Sequence, residues 1–237
     1  MITKQEIREM KWKHLTDHKL GRFPFPLNNR IPNFKGAESA AHLVTMIPDY
    51  KKANVIKVNP DSPQLPIRVQ ILKDGKILLV PTPRLRAGFI MIKPEWVPVG
   101  EERRAVSLSH MKSYGREIAL SDIPNIDLFI VGSVALNRDG RRVGKGAGYA
   151  DREYAIIREL GNPDIPVIST IHSTQLTEAD IPKKSFDLTV DWIATETELF
   201  RTNSTYDKPS GINWNIVTEK ELIDMPVLCE IHELTRG

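Results

Sequence analysis

The stretch richest in chemistry is RRVGKGAGYADREY, residues 141–154. Glycines alternate at Gly144, Gly146 and Gly148, with Arg142 and Lys145 beside them, Ala147 and Tyr149 between and after them, and Asp151 close behind. Glycine lacks the Cβ that would hold a bulky anion away from the main chain. Where such a run opens a helix, the free N–H groups and the positive end of the helix dipole face one point, which suits a phosphate. Arg142 and Lys145 add charge there. Asp151, one short step into the helix, has the chemistry to hold magnesium on the same phosphates, since that ion prefers carboxylate and water oxygens. The spacing is neither that of a Walker A loop, which ends in Gly-Lys-Ser/Thr, nor the G-x-G-x-x-G of dinucleotide sites. A flexible strand-to-helix connection is also glycine-rich, so the loop alone leaves both readings open.

Other residues could join such a site. Lys4 and Arg8 lie four apart on a helix expected over 3–20, so both leave one face; solvated surface charges would have the same spacing. Thr3 and Glu6 have capping-box spacing at the start of that helix, and Gly21 would end it. Residues 22–36, rich in proline and asparagine, read as a loop that could cover a substrate, with Asn33, Phe34 and Lys35 as contacts. Arg84 and Arg86 follow a strand and could meet a phosphate or an acidic tail. His14 and His18 have a metal-binding spacing with no third ligand nearby, and His172 ends a strand.

The elements that must position these residues follow from hydrophobic periodicity. Strands are expected at 54–58, 76–83, 88–93, 125–136, 165–171 and 185–195, and helices at 37–47, 65–75, 107–116 and 148–161, the last with Ala150, Tyr154, Ile157 and Leu160 along one side. That rhythm predicts an α/β fold of three layers, a mostly parallel sheet with helices on both faces, in one domain spanning 1–237.

Composition sets outer limits. With 41% hydrophobic and 27% charged residues, the chain can build a core. A net charge of +3 is too small for a nucleic-acid footprint by charge alone, though a local anion site stays open. The one cysteine, Cys229, excludes a disulfide framework and a zinc motif and is expected to be a buried or half-buried small apolar residue. No apolar run is long enough to span a membrane, and the first residues suggest a charged helix rather than a signal peptide, so a cytoplasmic location is expected.

The stretch DLFIVGSVALNRDGRRVGKGAGYADREY resembles the signature of the 5-formyltetrahydrofolate cyclo-ligase family, also called 5,10-methenyltetrahydrofolate synthetase, through Gly140, Arg142, Val143, Gly144, Gly146, Gly148, Tyr149 and Asp151. Lys4 and Arg8 match the basic pair of its first helix, and Asp191, Ile193, Thr195 and Glu196 match a D-x-I-x-T-E run near its end. RIPNFKGA, IKVNPDSPQ and LLVPTPRLRAGF look most like the subgroup of methenyltetrahydrofolate synthetase domain-containing proteins, here with no appended RNA-binding domain. The resemblance implies the three-layer fold of ribose-phosphate isomerases and CoA transferases. It implies ATP-dependent ring closure of 5-formyltetrahydrofolate, or a related formylated pterin, with ATP and magnesium as cofactors. Lys4 and Arg142 would act on the transferring phosphoryl group. Lys4, Arg8, Arg142, Gly144, Lys145, Gly146, Ala147, Gly148, Tyr149 and Asp151 would bind ATP, and Asp151 the metal.

Three positions depart from the pattern. Ala150 stands for a second Tyr, Asn137 for an Asp, and NPDSPQ holds no clear equivalent of a folate-binding carboxylate, with Asp61 the candidate. Two rival readings share the fold: a nucleotide- or RNA-binding regulatory protein, for which modest charge predicts weak, salt-dependent nucleic-acid binding, and a sugar-phosphate enzyme without ATP.

Overall fold

The computed structural model describes residues 2–236. The chain opens with helix α1 (Lys4–Asp17), a two-stranded ribbon of β1 (Gly21–Arg22) and β2 (Asn33–Phe34), and helices α2 (Ala37–Val44) and α3 (Pro48–Lys52). Then come β3 (Val55–Val58), α4 (Leu65–Lys73), β4 (Ile77–Pro81), β5 (Phe89–Ile92), the short α5 (Glu102–Ala105) and α6 (Met111–Tyr114), and β6 (Arg116–Ile118). The second half contains β7 (Leu128–Gly132), β8 (Ala135–Leu136), β9 (Arg142–Val143), α7 (Tyr149–Glu159), β10 (Val167–Thr170), β11 (Trp192–Ala194), β12 (Leu199–Arg201), α8 (Glu219–Asp224) and α9 (Val227–Arg236).

Eight strands form the central sheet in the order β12-β11-β10-β7-β3-β4-β5-β6. The five from β11 to β4 are parallel, while β12, β5 and β6 add antiparallel pairs at the edges. Alternation along the strands splits the core in two. Val55, Leu79, Phe129 and Val131 face α7 and α9, where Tyr154, Ile157, Leu228 and Ile231 are buried. Ile56, Leu78, Leu128 and Ile130 face α2 and α4, against Val44, Ile67 and Ile71. Period-2 side chains on a sheet covered by helices on both faces give the expected three layers.

The connection β3→β4 runs to one side of the sheet and β7→β10→β11 to the other, so strand order reverses between β3 and β7. A crevice opens beyond the carboxyl ends of strands at such a point, and ligands bind there. The residues that follow β3 and end β7, Asn59 and Gly132, both line the large cavity described below.

Several expectations need correction. Helix α1 closes at His18 and Lys19, with Lys19 itself left-handed (φ 54°), and Gly21 enters β1 instead. The apolar run 125–136 is broken after Gly132, and β8 leaves the sheet to pair with β9. Only Trp192–Ala194 of 185–195 is strand; Leu188 and Val190 are buried without joining it. Residues 107–116 hold a single turn of helix, Met111–Tyr114. Cys229 is exposed, because α9 turns its neighbours Val227 and Leu228 inward instead. No helix among the described residues is long and apolar enough to cross a membrane.

Candidate active site

The capping box at the start of α1 forms as its spacing requires. Thr3 Oγ1 accepts from the Glu6 N–H at 3.2 Å, and Glu6 Oε2 accepts from the Thr3 N–H at 2.7 Å. That fixes the first turn and sends Lys4 and Arg8 to the crevice. Lys4 Nζ lies 2.7 Å from Asp187 Oδ2. Arg8 Nε donates to the Gly144 carbonyl at 2.7 Å, so α1 holds the glycine run from outside. Burial, with the nearby Arg142 charge, pulls the Arg8 guanidinium below its ordinary value.

The glycine run connects β9 to α7. At Gly144 a Cβ would stand 2.9 Å from Arg142 Nη1, so a side chain there would push the guanidinium aside. Gly148, left-handed at φ 71°, is the N-cap of α7 and brings no side chain to satisfy the first-turn amides. The backbone N–H groups of Lys145, Gly146, Ala147 and Gly148 find no acceptor among the described residues. Four unpaired donors and a helix N-terminus thus lie at the wall of the cavity, groups of the kind that receive an anion.

Arg142 is buried beneath this run. Its Nη1 donates to the Gly132 carbonyl at 3.1 Å and its Nη2 to Asp151 Oδ1 at 3.0 Å, while Nε has no partner. Asp151 Oδ1 also accepts from the Leu188 N–H at 2.9 Å, and its Oδ2 has no partner among the described residues. Lys145 Nζ reaches across to Asp61 Oδ1 at 3.0 Å.

All ten residues singled out from the sequence line a single cavity of about 1000 Å³: Lys4, Arg8, Arg142, Gly144, Lys145, Gly146, Ala147, Gly148, Tyr149 and Asp151. Asp61 and Arg84 line it too, Arg84 from a turn in which it and Leu85 are both left-handed. Arg86 does not. The loop 22–36 contributes Pro24, Asn29, Arg30 and Ile31 to the wall instead of the expected trio. Asn33 ties the loop to itself through the Phe23 carbonyl, Phe34 is fully buried, and Lys35 is exposed. His172 caps a turn beside Thr174, with its ring edge-on to Phe34, away from the cavity. His14 and His18 stack on each other, and no group of three metal-binding side chains gathers among the described residues. Asn137 holds its turn by accepting from the Arg141 N–H at 3.0 Å. Asp191, Thr195 and Glu196 likewise serve backbone amides, of Val167, Glu198 and Ser173.

Sequence reasoning missed a second, buried group. Lys57, fully buried in the middle of β3, donates to Glu153 Oε2, which also accepts from Asn59 Nδ2 at 3.1 Å. Burial pushes the Lys57 ammonium down and the Glu153 carboxyl up, and their mutual attraction works against both. Arg68, also buried and lowered to about 10 by that burial, donates to the carbonyls of Asn59 (2.6 Å) and Asp61 (3.0 Å) and so shapes the turn after β3. A signal was present: Lys57 and Glu153 are opposite charges at positions the apolar periodicity places inside, which requires that each find a partner.

The 5-formyltetrahydrofolate cyclo-ligase family model matches residues 3–196. The chain is 40% identical over 237 residues to the methenyltetrahydrofolate synthase domain-containing protein of Bos taurus, covering 96% of this chain and 61% of that one. It is 40% identical over 242 residues to the Mus musculus protein of that name (98% and 64%) and 37% over 237 residues to that of Homo sapiens (96% and 61%). The chain therefore spans less than two thirds of the length of these curated relatives. Among solved structures, the 5,10-methenyltetrahydrofolate synthetase of Aquifex aeolicus superposes with a TM-score of 0.52 at 19% identity, over 87% of this chain and 96% of that one. The enzyme of the same name from Mycoplasma pneumoniae gives 0.50 at 15% identity, over 82% and 99%. Those two likenesses speak for the fold. With the family model covering most of the sequence, the chain belongs to the 5-formyltetrahydrofolate cyclo-ligase family.

Proposed function

We propose that this protein is an ATP- and magnesium-dependent cyclo-ligase that closes 5-formyltetrahydrofolate, or a related formylated pterin, to 5,10-methenyltetrahydrofolate, with release of ADP and phosphate. The observation that carries the reading is one cavity where unpaired loop amides, Lys4, Arg8, Arg142 and Lys145 converge beside Asp151. Such donors suit a polyphosphate, because phosphoryl transfer asks mainly for alignment and charge neutralisation.

In this reading ATP supplies the phosphoryl group that turns the formyl oxygen into a leaving group, and N10 then displaces it as phosphate. The chain's own residues bind and orient. The glycine-run amides hold the phosphate oxygens. Arg142, anchored at Gly132 and Asp151, brings its positive charge beneath the glycine run. Lys4 meets charge developing on the transferred group. Asp151 Oδ2 is the carboxylate oxygen left for magnesium, and with no larger acidic cluster among the described residues the ion would be held largely by the phosphates themselves. Residues 2–236 would act as one unit, in the cytoplasm.

The test is spectrophotometric. Protein is mixed with 5-formyltetrahydrofolate, magnesium and ATP, and the methenyl product is followed by its near-ultraviolet absorbance. An ATP-dependent rise that Asp151→Ala abolishes is expected. No rise, with ATP still raising the melting temperature, would leave a phosphate site and overturn the substrate assignment.

A further inference from the structure

One half of the cavity is set up for phosphate; the buried group at its other side is not. Glu153 Oε2 is taken by Lys57 and Asn59, but Oε1 has no hydrogen-bond partner among the described residues. The fully buried side-chain polar atoms left without a partner are Gln64 Oε1 and Arg142 Nε, so Glu153 Oε1 retains accessible surface, and Glu153 and Asn59 both line the cavity. Ala150 lies three residues before Glu153 on the same face of α7 and also lines the cavity, its short side chain leaving the approach open.

A buried ion pair is a weak way to stabilise a core, since desolvation offsets most of the attraction; two apolar side chains would fill that space at less cost. This pair also holds one carboxylate rigidly. Lys57 Nζ is packed 4.0 Å from the centroid of the Phe129 ring and is fully buried. An ionised carboxylate accepts and never donates, and it repels phosphate. It is therefore a reader for a neutral heterocycle that presents N–H donors.

We propose that Glu153, positioned by Lys57 and Asn59, is the specificity-determining acceptor of this pocket and takes hydrogen bonds from the amino-substituted pyrimidinone edge of the substrate's pterin ring. The assignment rests on the cyclo-ligase reading; the carboxylate of the turn after β3, Asp61, also lines the cavity and is paired with Lys145 through Oδ1. That edge carries a ring N–H and an exocyclic amino group side by side, and the lone pairs of Oε1 are free to accept from them. A ring without those donors leaves Oε1 desolvated and unpaired, which is where discrimination of this kind comes from.

The experiment compares binding of 5-formyltetrahydrofolate with that of an analogue whose 2-amino group is replaced by methyl, by calorimetry. Wild-type protein is expected to prefer the amino form by roughly 10- to 100-fold, the range for a hydrogen bond to a charged acceptor. In Lys57→Met/Glu153→Leu, which removes the acceptor without stranding a buried charge, the two ligands should bind within about threefold of each other, a difference that counts as no preference. The ATP-induced rise in melting temperature should persist. Glu153→Gln, which keeps the shape and an oxygen acceptor, should show a reduced preference and serves if the double variant does not fold. A wild type without preference, or variants that keep the full preference, would overturn the role of Glu153 alone. A wild type that binds neither folate while still responding to ATP would overturn the cyclo-ligase reading, and the proposal with it.

Discussion

Arg142 and Asp151 act as one unit: the guanidinium spans the Gly132 carbonyl and the Asp151 carboxylate, and the same carboxylate oxygen holds the Leu188 amide. A lysine puts a single point-like ammonium where the guanidinium's planar fork places Nη1 and Nη2 on separate partners, so it does not reproduce this geometry. Arg142→Lys should therefore weaken ATP binding by about 10-fold or more, the scale of one lost charge-assisted hydrogen bond, as measured by calorimetry. Asp151→Asn keeps an acceptor for Leu188 but loses the charge. It should bind ATP without magnesium nearly as wild type does, and lose the added stabilisation that magnesium brings; melting curves with ATP at zero and saturating magnesium would show it. Equal losses with and without the ion would place Asp151 in loop positioning only.

At the scale of the element, α1 and the glycine run depend on each other. The Thr3–Glu6 box sets the first turn of α1, and Arg8 of that helix holds the Gly144 carbonyl. Thr3→Ala should cost about 1 kcal/mol of stability, the usual value of a lost N-cap, and weaken ATP binding through Lys4, both measurable by denaturation and calorimetry. The Glu6 carboxyl is held below its ordinary value by the Thr3 backbone N–H and then by its hydroxyl. A carboxylate with a depressed folded-state pKa stabilises above its unfolded value, and that contribution disappears as pH falls through the folded value. Melting curves of wild type and Glu6→Gln should differ at neutral pH and converge in acid. Helix α7 was legible in the sequence along its apolar side, and Tyr154 and Ile157 are buried there with Ala150 and Leu160 packed against the same core. Helix α1 was legible through its cap, but its end was not: Lys19 adopts the left-handed conformation that glycine usually takes.

Across the whole molecule, the segment beyond the family match adds the edge strand β12 and packs its last helix against α7. Met225, Val227, Leu228 and Ile231 are buried against the side of α7 that carries Tyr154 and Ile157, and Arg152 of α7 reaches Glu221 Oε1 of α8 at 2.7 Å. Leu228→Ala should destabilise the fold by about 2–5 kcal/mol in chemical denaturation, the cost of a large-to-small change in a packed core. Because Leu228 lies apart from the cavity, the ATP-induced melting shift should survive. A lost shift at a temperature where the variant is folded would show that the C-terminal helices set the geometry of α7's first turn.

The sequence by itself determined the glycine-run side of the cavity. The glycine run, its basic neighbours and Asp151 are contiguous, so local spacing carried the information, and the α/β alternation predicted the layers that bring Lys4 and Arg8 to them. Tertiary structure alone decided the other side. Lys57 and Glu153 are 96 residues apart, and Asp61 and Lys145 are 84 apart. Such partners meet only because strand order reverses between β3 and β7, and no local periodicity encodes that reversal. Phe34, expected to touch substrate, was drawn instead into the core beside Ala37 and Ala40, since burial of an aromatic ring outweighs any local preference of a proline-rich loop.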